Sequence, residues 1–261
     1  MSSMFKPRSE RKRLLRAGLD ILLPFLAACA SCGAQAYHPM FDGKTLKGWH
    51  TQGGGAWRVT TDGLVEGTHT LDGDFGHLVS DSSFTDFRLH FQWKLTAGGN
   101  SGLYFHAQEG GEGGMAGAQV EMDESYSGGI YSTGTTPWGW IFQPKAEDAK
   151  KWYKPQDWND VVVIVKGTHA TVTENGFAAT NTSSADLGKD GHFAFQVHRG
   201  IVMTLLIRSV EWSEVPGSTS AREARSAKPA GLGHSDPSHF QRPGSSKEVL
   251  VDGARFQGLR P

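Results

Sequence analysis

From Phe87 to Leu95 apolar and polar side chains alternate without a break over nine positions. This is the pattern of a β-strand with one face on a core. Shorter runs of the same kind follow at 101–106, 118–123, 161–165, 168–173, 192–198 and 202–210. Turn-forming residues separate them: Gly98-Gly99-Asn100, Gly128-Gly129, Lys166-Gly167 and Asn175-Gly176. Asn175-Gly176 predicts a two-residue hairpin, because both residues tolerate positive φ. No helical 3.6-residue period persists beyond the N-terminal segment. Many short strands at ~10-residue spacing predict an all-β sandwich of two antiparallel sheets, a jelly roll.

The two ends break this pattern. A run of mostly apolar residues at 21–30 follows six basic side chains, Lys6 to Arg16, and precedes small residues. That order is an export signal, and the run is shorter than the ~20 residues a membrane-spanning helix needs. Leu26-Ala27-Ala28-Cys29 resembles the bacterial lipoprotein box, in which the cysteine is lipidated. Cleavage after Ala34-Gln35-Ala36 is the rival and would discard both cysteines, Cys29 and Cys32. From Pro216 the chain turns to Ser, Gly, Pro, Ala and Arg, too poor in apolar residues to build a core. The expected division is an export signal at 1–36, a β-domain at 37–216 and a flexible tail at 217–261. The expected location is the periplasm or cell envelope, with a lipid anchor at Cys29.

Composition sharpens the picture. Glycine makes up 34 of 261 residues, close to twice the usual ~7%, as many tight turns require. The net charge of -1 hides a +4 leader, a -8 domain and a +3 tail. An acidic domain with 8 Trp and 14 Phe in the chain is neither a nucleic-acid coat nor a disordered polymer. With both cysteines in the leader, no disulfide crosses the domain.

Candidate chemistry lies on the strands. Gln119, Glu121 and Asp123 are spaced i, i+2, i+4 and share one face, opposite Ala118, Val120 and Met122. Gln196 and His198 share a face on another strand, and Tyr104 and His106 on a third. Arg208 is a candidate substrate ligand or an ion-pair partner. Trp138 and Trp140 lie with Trp152 and Tyr153 in an unpatterned connection, available to stack on sugar rings. The Gly-rich stretch 108–116 reads as a loop at the rim. His50, His69, His77, His169 and His192 sit singly at turns or strand ends and read as surface groups. Within 37–216 no HExxH or CxxC motif is present. Glu121 and His198 offer a carboxylate and an imidazole to a divalent metal ion; no cofactor is otherwise indicated.

The motif series Phe41-Asp42-Gly43, Gly48-Trp49, Phe84-Thr85-Asp86-Phe87, Gly98-Gly99-Asn100-Ser101-Gly102, Gly129-Ile130-Tyr131, Gln196-Val197-His198 and Ile207-Arg208-Ser209-Val210 resembles the 3-keto-disaccharide hydrolase-like family. That family is described as 3-keto-glucoside 1,2-lyase/3-keto-2-hydroxy-glucal hydratase. One departure is that this family usually places Glu-x-Gln where this chain has Gln119-Val120-Glu121. The resemblance implies a concanavalin-like jelly roll and elimination followed by hydration at a 3-keto-glycoside. For that chemistry, residue type offers His198 or Glu121 as base, Asp123 or Glu121 as acid, and His106, Arg208 or a metal against the enolate. Gln119, Gln196, Tyr104, Trp138 and Trp140 would then contact the sugar. Two other readings stay open. One is a non-catalytic carbohydrate-binding module. The other is an envelope structural protein whose basic tail meets acidic polymers.

Overall fold

The computed structural model describes residues 36–134 and 138–218. The expected export signal up to residue 35, Cys29 with it, and the tail beyond residue 218 lie outside the described residues. The strands, in chain order, are β1 (His38–Pro39), β2 (Trp49–Gly53), β3 (Ala56–Val59), β4 (Val65–His69), β5 (Gly76–Phe84), β6 (Phe87–Leu95), β7 (Ser101–Glu109), β8 (Met115–Met122), β9 (Ile130–Thr133) and β10 (Gly139–Phe142). After a short helix, α1 (Ala146–Trp152), come β11 (Asn159–Lys166), β12 (His169–Glu174), β13 (Phe177–Ser183), β14 (Gly191–Val197) and β15 (Met203–Ser213).

They form two antiparallel sheets, as the alternation predicts. The first runs β13-β12-β11-β6-β15-β4-β3, with β1 added beside β15. The second runs β10-β9-β8-β7-β14-β5-β2. Runs of consecutive strands, β11 to β13 and β7 to β10, are joined to strands distant in sequence: β6 lies between β11 and β15, and β14 between β7 and β5. The strand from Phe87 to Leu95 sits mid-sheet, its five odd-numbered apolar side chains buried and its polar ones outward. Rings from the two sheets meet edge to face between them, Phe91 on Phe195 at 5.5 Å and Phe87 on Phe193 at 4.7 Å between centroids. Such pairs add about 0.5–1.5 kcal/mol beyond burial alone.

Asn175-Gly176 makes the expected hairpin between β12 and β13, with φ of 50° and 85°. The helix α1 was not expected. Its seven residues are too few to show a period, and packing of Ala149 and Trp152 into the core sustains it. Among the described residues no helix is long and apolar enough to cross a membrane.

Candidate functional site

On the outer face of the second sheet, away from the core, lies a cavity of about 300 Å³. Strand β8 supplies its floor. Its period of two sends Ala118, Val120 and Met122 inward and Gln119 and Glu121 outward. Asp123 follows, just past the strand, and also lines the space. Strand β14 contributes Gln196 and, one residue beyond its end, His198; β7 contributes Tyr104. The aromatic wall includes Trp138 and Trp140. All these expected positions come together at one place.

The acids are arranged unequally. Asp123 Oδ1 accepts the backbone N–H groups of Ser125 (2.9 Å) and Tyr126 (2.6 Å), closing the turn after β8. Its Oδ2 accepts from Asn100 Nδ2 at 3.1 Å. Glu121 is 8% exposed, and Gln119 Nε2 donates to its Oε1 at 3.1 Å. Burial above all, then the neighbouring Asp123 charge, pushes the Glu121 carboxyl up to about 8, against hydrogen bonds from Asn100 and Gln119. Glu121 therefore carries a proton at neutral pH while facing the cavity.

His198 complements it. Its Nδ1 donates to the Arg199 carbonyl at 2.7 Å, which leaves the lone pair on Nε2 in the neutral ring. Burial holds its pKa below the ordinary 6.5, with the Arg199 and His69 charges adding to the depression and the carbonyl bond opposing it. The edge of Phe75 packs against the ring, centroids 4.7 Å apart. A neutral imidazole and a protonated carboxyl thus border one space.

Beneath the turn after β8 lies a second buried acid. Glu174, on β12, accepts the Ser127 hydroxyl at 2.8 Å with either oxygen. Trp152 Nε1 donates to the Ser127 carbonyl, and the Thr180 hydroxyl to that of Gly128. These bonds clamp the turn that carries Asp123 and Tyr126. Burial, with a smaller push from Asp123, raises the Glu174 carboxyl to about 8.

Gly102 stands opposite Glu121 in the β7–β8 register. The Gln119 side chain lies across it, and a Cβ there would fall 2.3 Å from Gln119 Nε2. Gly102→Ala is expected to push the amide aside, remove its bond to Glu121 and raise the Glu121 titration further. Carbon-13 NMR of labelled glutamate measures this; an unshifted Glu121 in a folded variant would contradict the arrangement.

Several expectations are corrected. His106 does not share the Tyr104 face. A bulge between Phe105 and Gln108 gives it a φ of 49° and turns its ring onto Phe87 and Phe105. Its ring nitrogens meet the Leu187 and Thr85 carbonyls. Arg208 lies on the outer face of the first sheet, across the sandwich, bonded to Gln92 and 4.0 Å over the Trp158 ring. Of the four aromatics grouped together, Trp152 is buried and Tyr153 stacks on Trp93, so only Trp138 and Trp140 reach the cavity. The Gly-rich stretch holds the turn between β7 and β8 at residues 110–114, with Gly113 at the rim, while its two ends continue the strands. His77, expected at the surface, is fully buried beside Gln52 and Tyr104. Among the described residues no group of three His, Cys, Asp or Glu side chains is placed to hold a metal ion, so Glu121 and His198 lack a third ligand of that kind.

The cavity also holds residues the sequence reading did not single out as ligands: Asn100, Tyr131, Tyr126, Thr133 and Phe75. Asn100 and Tyr131 sit inside the recognised motifs, where Asn100 read as a turn residue. Phe75 carries no sequence signal.

The chain resembles known proteins in three ways. Residues 36–212 match the model of the 3-keto-alpha-glucoside-1,2-lyase-like domain. A 3-keto-disaccharide hydrolase of Bacteroides thetaiotaomicron is 38% identical over 85 residues, which span 29% of this chain and 29% of that protein. A Parabacteroides distasonis protein, described as a candidate glycosyl hydrolase, has a crystal structure that aligns with a TM-score of 0.53 and 22% identity over 69% of this chain and 94% of its own. The carbohydrate-binding module CBM66 of Bacillus subtilis aligns at 0.50 with 15% identity, over 64% and 96%. These two structures share the fold. On the family match, which covers most of the β-domain, the chain belongs to the 3-keto-alpha-glucoside-1,2-lyase-like domain family.

Proposed function

We propose that the protein is an exported enzyme that cleaves glycosides already oxidised at C3, by 1,2-elimination and then hydration. The observation that carries this reading is the pairing of the neutral His198 with the protonated Glu121 around one cavity. The family match and the carbohydrate-related fold neighbours point the same way. At about 300 Å³, at the small end of ligand pockets, the cavity suits one sugar ring, with the leaving group toward its mouth.

The 3-keto group acidifies the proton on C2. His198 Nε2 takes that proton, and the C2–H electrons form the enolate. The enolate collapses to restore the ketone, C1=C2 forms, and the C1–O bond breaks onto the glycosidic oxygen. The Glu121 carboxyl gives that oxygen its proton. Amide donors of the floor and the Tyr104 hydroxyl, itself held protonated by burial, are the groups available to the enolate oxygen. In the second half His198, its proton exchanged with solvent once the leaving group has gone, gives a proton to C2 while water adds at C1, giving its own proton to the Glu121 carboxylate. Both groups end as they began.

A non-catalytic carbohydrate-binding module is the alternative, favoured by the aromatic wall of Trp138, Trp140 and Tyr131. The two differ in turnover. The purified protein is expected to release free sugar from 3-keto-trehalose or another 3-keto-glycoside, with chelator as well as without. Carbohydrate binding with no turnover of any keto-glycoside would overturn the enzyme reading. Release abolished by chelator and restored by a divalent ion would assign the chemistry to a metal at Glu121 and His198. Export, and anchoring through Cys29, belong to the same proposal and are read by lipid labelling of wild type against Cys29→Ala.

A further inference from the structure

His77 Nε2 and Gln196 Oε1 are both buried without a hydrogen-bond partner among the described residues. The two residues face each other directly across β5 and β14. Their side chains stand on the outer face of the second sheet, 0% and 4% exposed. Directly opposed residues have Cβ atoms about 4.5–5.5 Å apart, so these are immediate neighbours.

Their other bonds fix what the orphan atoms are. His77 Nδ1 lies 3.0 Å from Gln52 Oε1, an acceptor, so the ring donates there and keeps its lone pair on Nε2. Gln196 Nε2 donates to the Tyr104 hydroxyl at 2.9 Å, which leaves the carbonyl oxygen. The Tyr104 ring meets His77 edge to face at 5.4 Å between centroids. Two acceptors therefore sit together with no donor between them. Protonating the histidine is no remedy, since burial holds it at about 4. Buried acceptors left unpaired are costly, and proteins normally satisfy them with a ligand or an ordered water. Gln196 and Tyr104 line the cavity, and His77, fully buried, lies next to Gln196 beneath that lining.

We infer that His77 Nε2 and Gln196 Oε1 form a paired acceptor site for O–H donors, filled either by a resident water, which can donate to both, or by a hydroxyl of the bound sugar, which donates to one of them. The hydroxyl form rests on the keto-glycoside reading; the acceptor pair itself does not. Occupied by a hydroxyl, the site discriminates. A sugar lacking that group would leave the acceptor it meets buried and unpaired, the arrangement that gives polar sites their strongest selectivity.

The test uses methyl 3-keto-glucoside and its 2-, 4- and 6-deoxy forms, bound to the full-length Glu121→Gln protein, in which turnover is slowed. If a hydroxyl is the donor, one deoxy form binds about tenfold more weakly, and the penalty vanishes when the acceptor it meets is removed, by His77→Phe or by Gln196→Met. If water is the donor, no position is singled out. An oxygen is then found within hydrogen-bond distance of both atoms in a ligand-free crystal. Nitrogen-15 NMR of the unaltered protein reads the tautomer whether or not any sugar binds. Failure of all glycosides to bind would count against the keto-glycoside reading alone. The acceptor pair is overturned by a His77 that carries its proton on Nε2, or by absence of both the position-specific penalty and the ordered oxygen.

Discussion

Glu121→Gln lowers kcat/KM for a 3-keto-glycoside with an alkyl leaving group by about 10²–10⁴, the range of a lost general acid. For a nitrophenyl 3-keto-glycoside, whose phenolate departs unaided, the same variant keeps most of its rate. His198→Ala loses the reaction with both substrates, because C2 must be deprotonated whatever leaves. The assignment follows from burial acting oppositely on the two groups. It keeps the carboxyl protonated, up to about 8, and keeps the imidazole neutral below the ordinary 6.5. The wild-type pH–rate profile is therefore a bell, rising as His198 deprotonates and falling near pH 8 as Glu121 ionises. In Glu121→Gln the alkaline limb disappears. Steady-state kinetics with the two substrates checks this; an equal loss with both would move the acid role away from Glu121.

The second large effect is on stability. Glu121 and Glu174 both bind protons more tightly folded than unfolded, about 8 against the ordinary 4.5. A raised folded pKa gives stability that is present below the unfolded value and lost as pH rises through the folded one. His50 and His90, each bonded to two carboxylates, are also raised and lose their contribution above pH 6.5. His77, lowered to about 4, and His198 act the other way, losing stability as pH falls below 6.5. Between about pH 5 and 6.5 these two histidines oppose the glutamates. Above 6.5 nothing opposes the glutamates. Stability should fall by about 2–4 kcal/mol between pH 6.5 and 8, or roughly 5–15 °C in Tm. Calorimetry across pH 5–9 measures it. Glu174→Gln should flatten the slope without removing the neutral carboxyl's packing, and a Tm that rises through pH 8 would contradict the burial argument.

The alternation from Phe87 to Leu95, and the hairpin at Asn175-Gly176, were legible because strand period and turn chemistry are local. So was the shared face of Gln119, Glu121 and Asp123. His106 was misread because one inserted residue at the bulge reverses every side chain beyond it, and no composition signals that. Arg208 failed for another reason: alternation tells two faces apart but not which sheet a strand joins. His77 was legible as a residue type but not as a buried one. Its burial depends on Gln52, Gln196 and Tyr104, which come from three other strands.

The most direct test of the account is the fate of hydrogen at C2. When the protein cleaves a 3-keto-glycoside in D₂O, elimination and hydration require that the released keto-sugar carry solvent deuterium at C2 from the first turnovers, well above the label at C4, which reports uncatalysed enolisation. Sugar released with its original C2 hydrogen intact, with no 2-hydroxy-3-keto-glucal detected by its enone absorbance during turnover, would mean direct hydrolysis, and would contradict the roles given to His198 and Glu121.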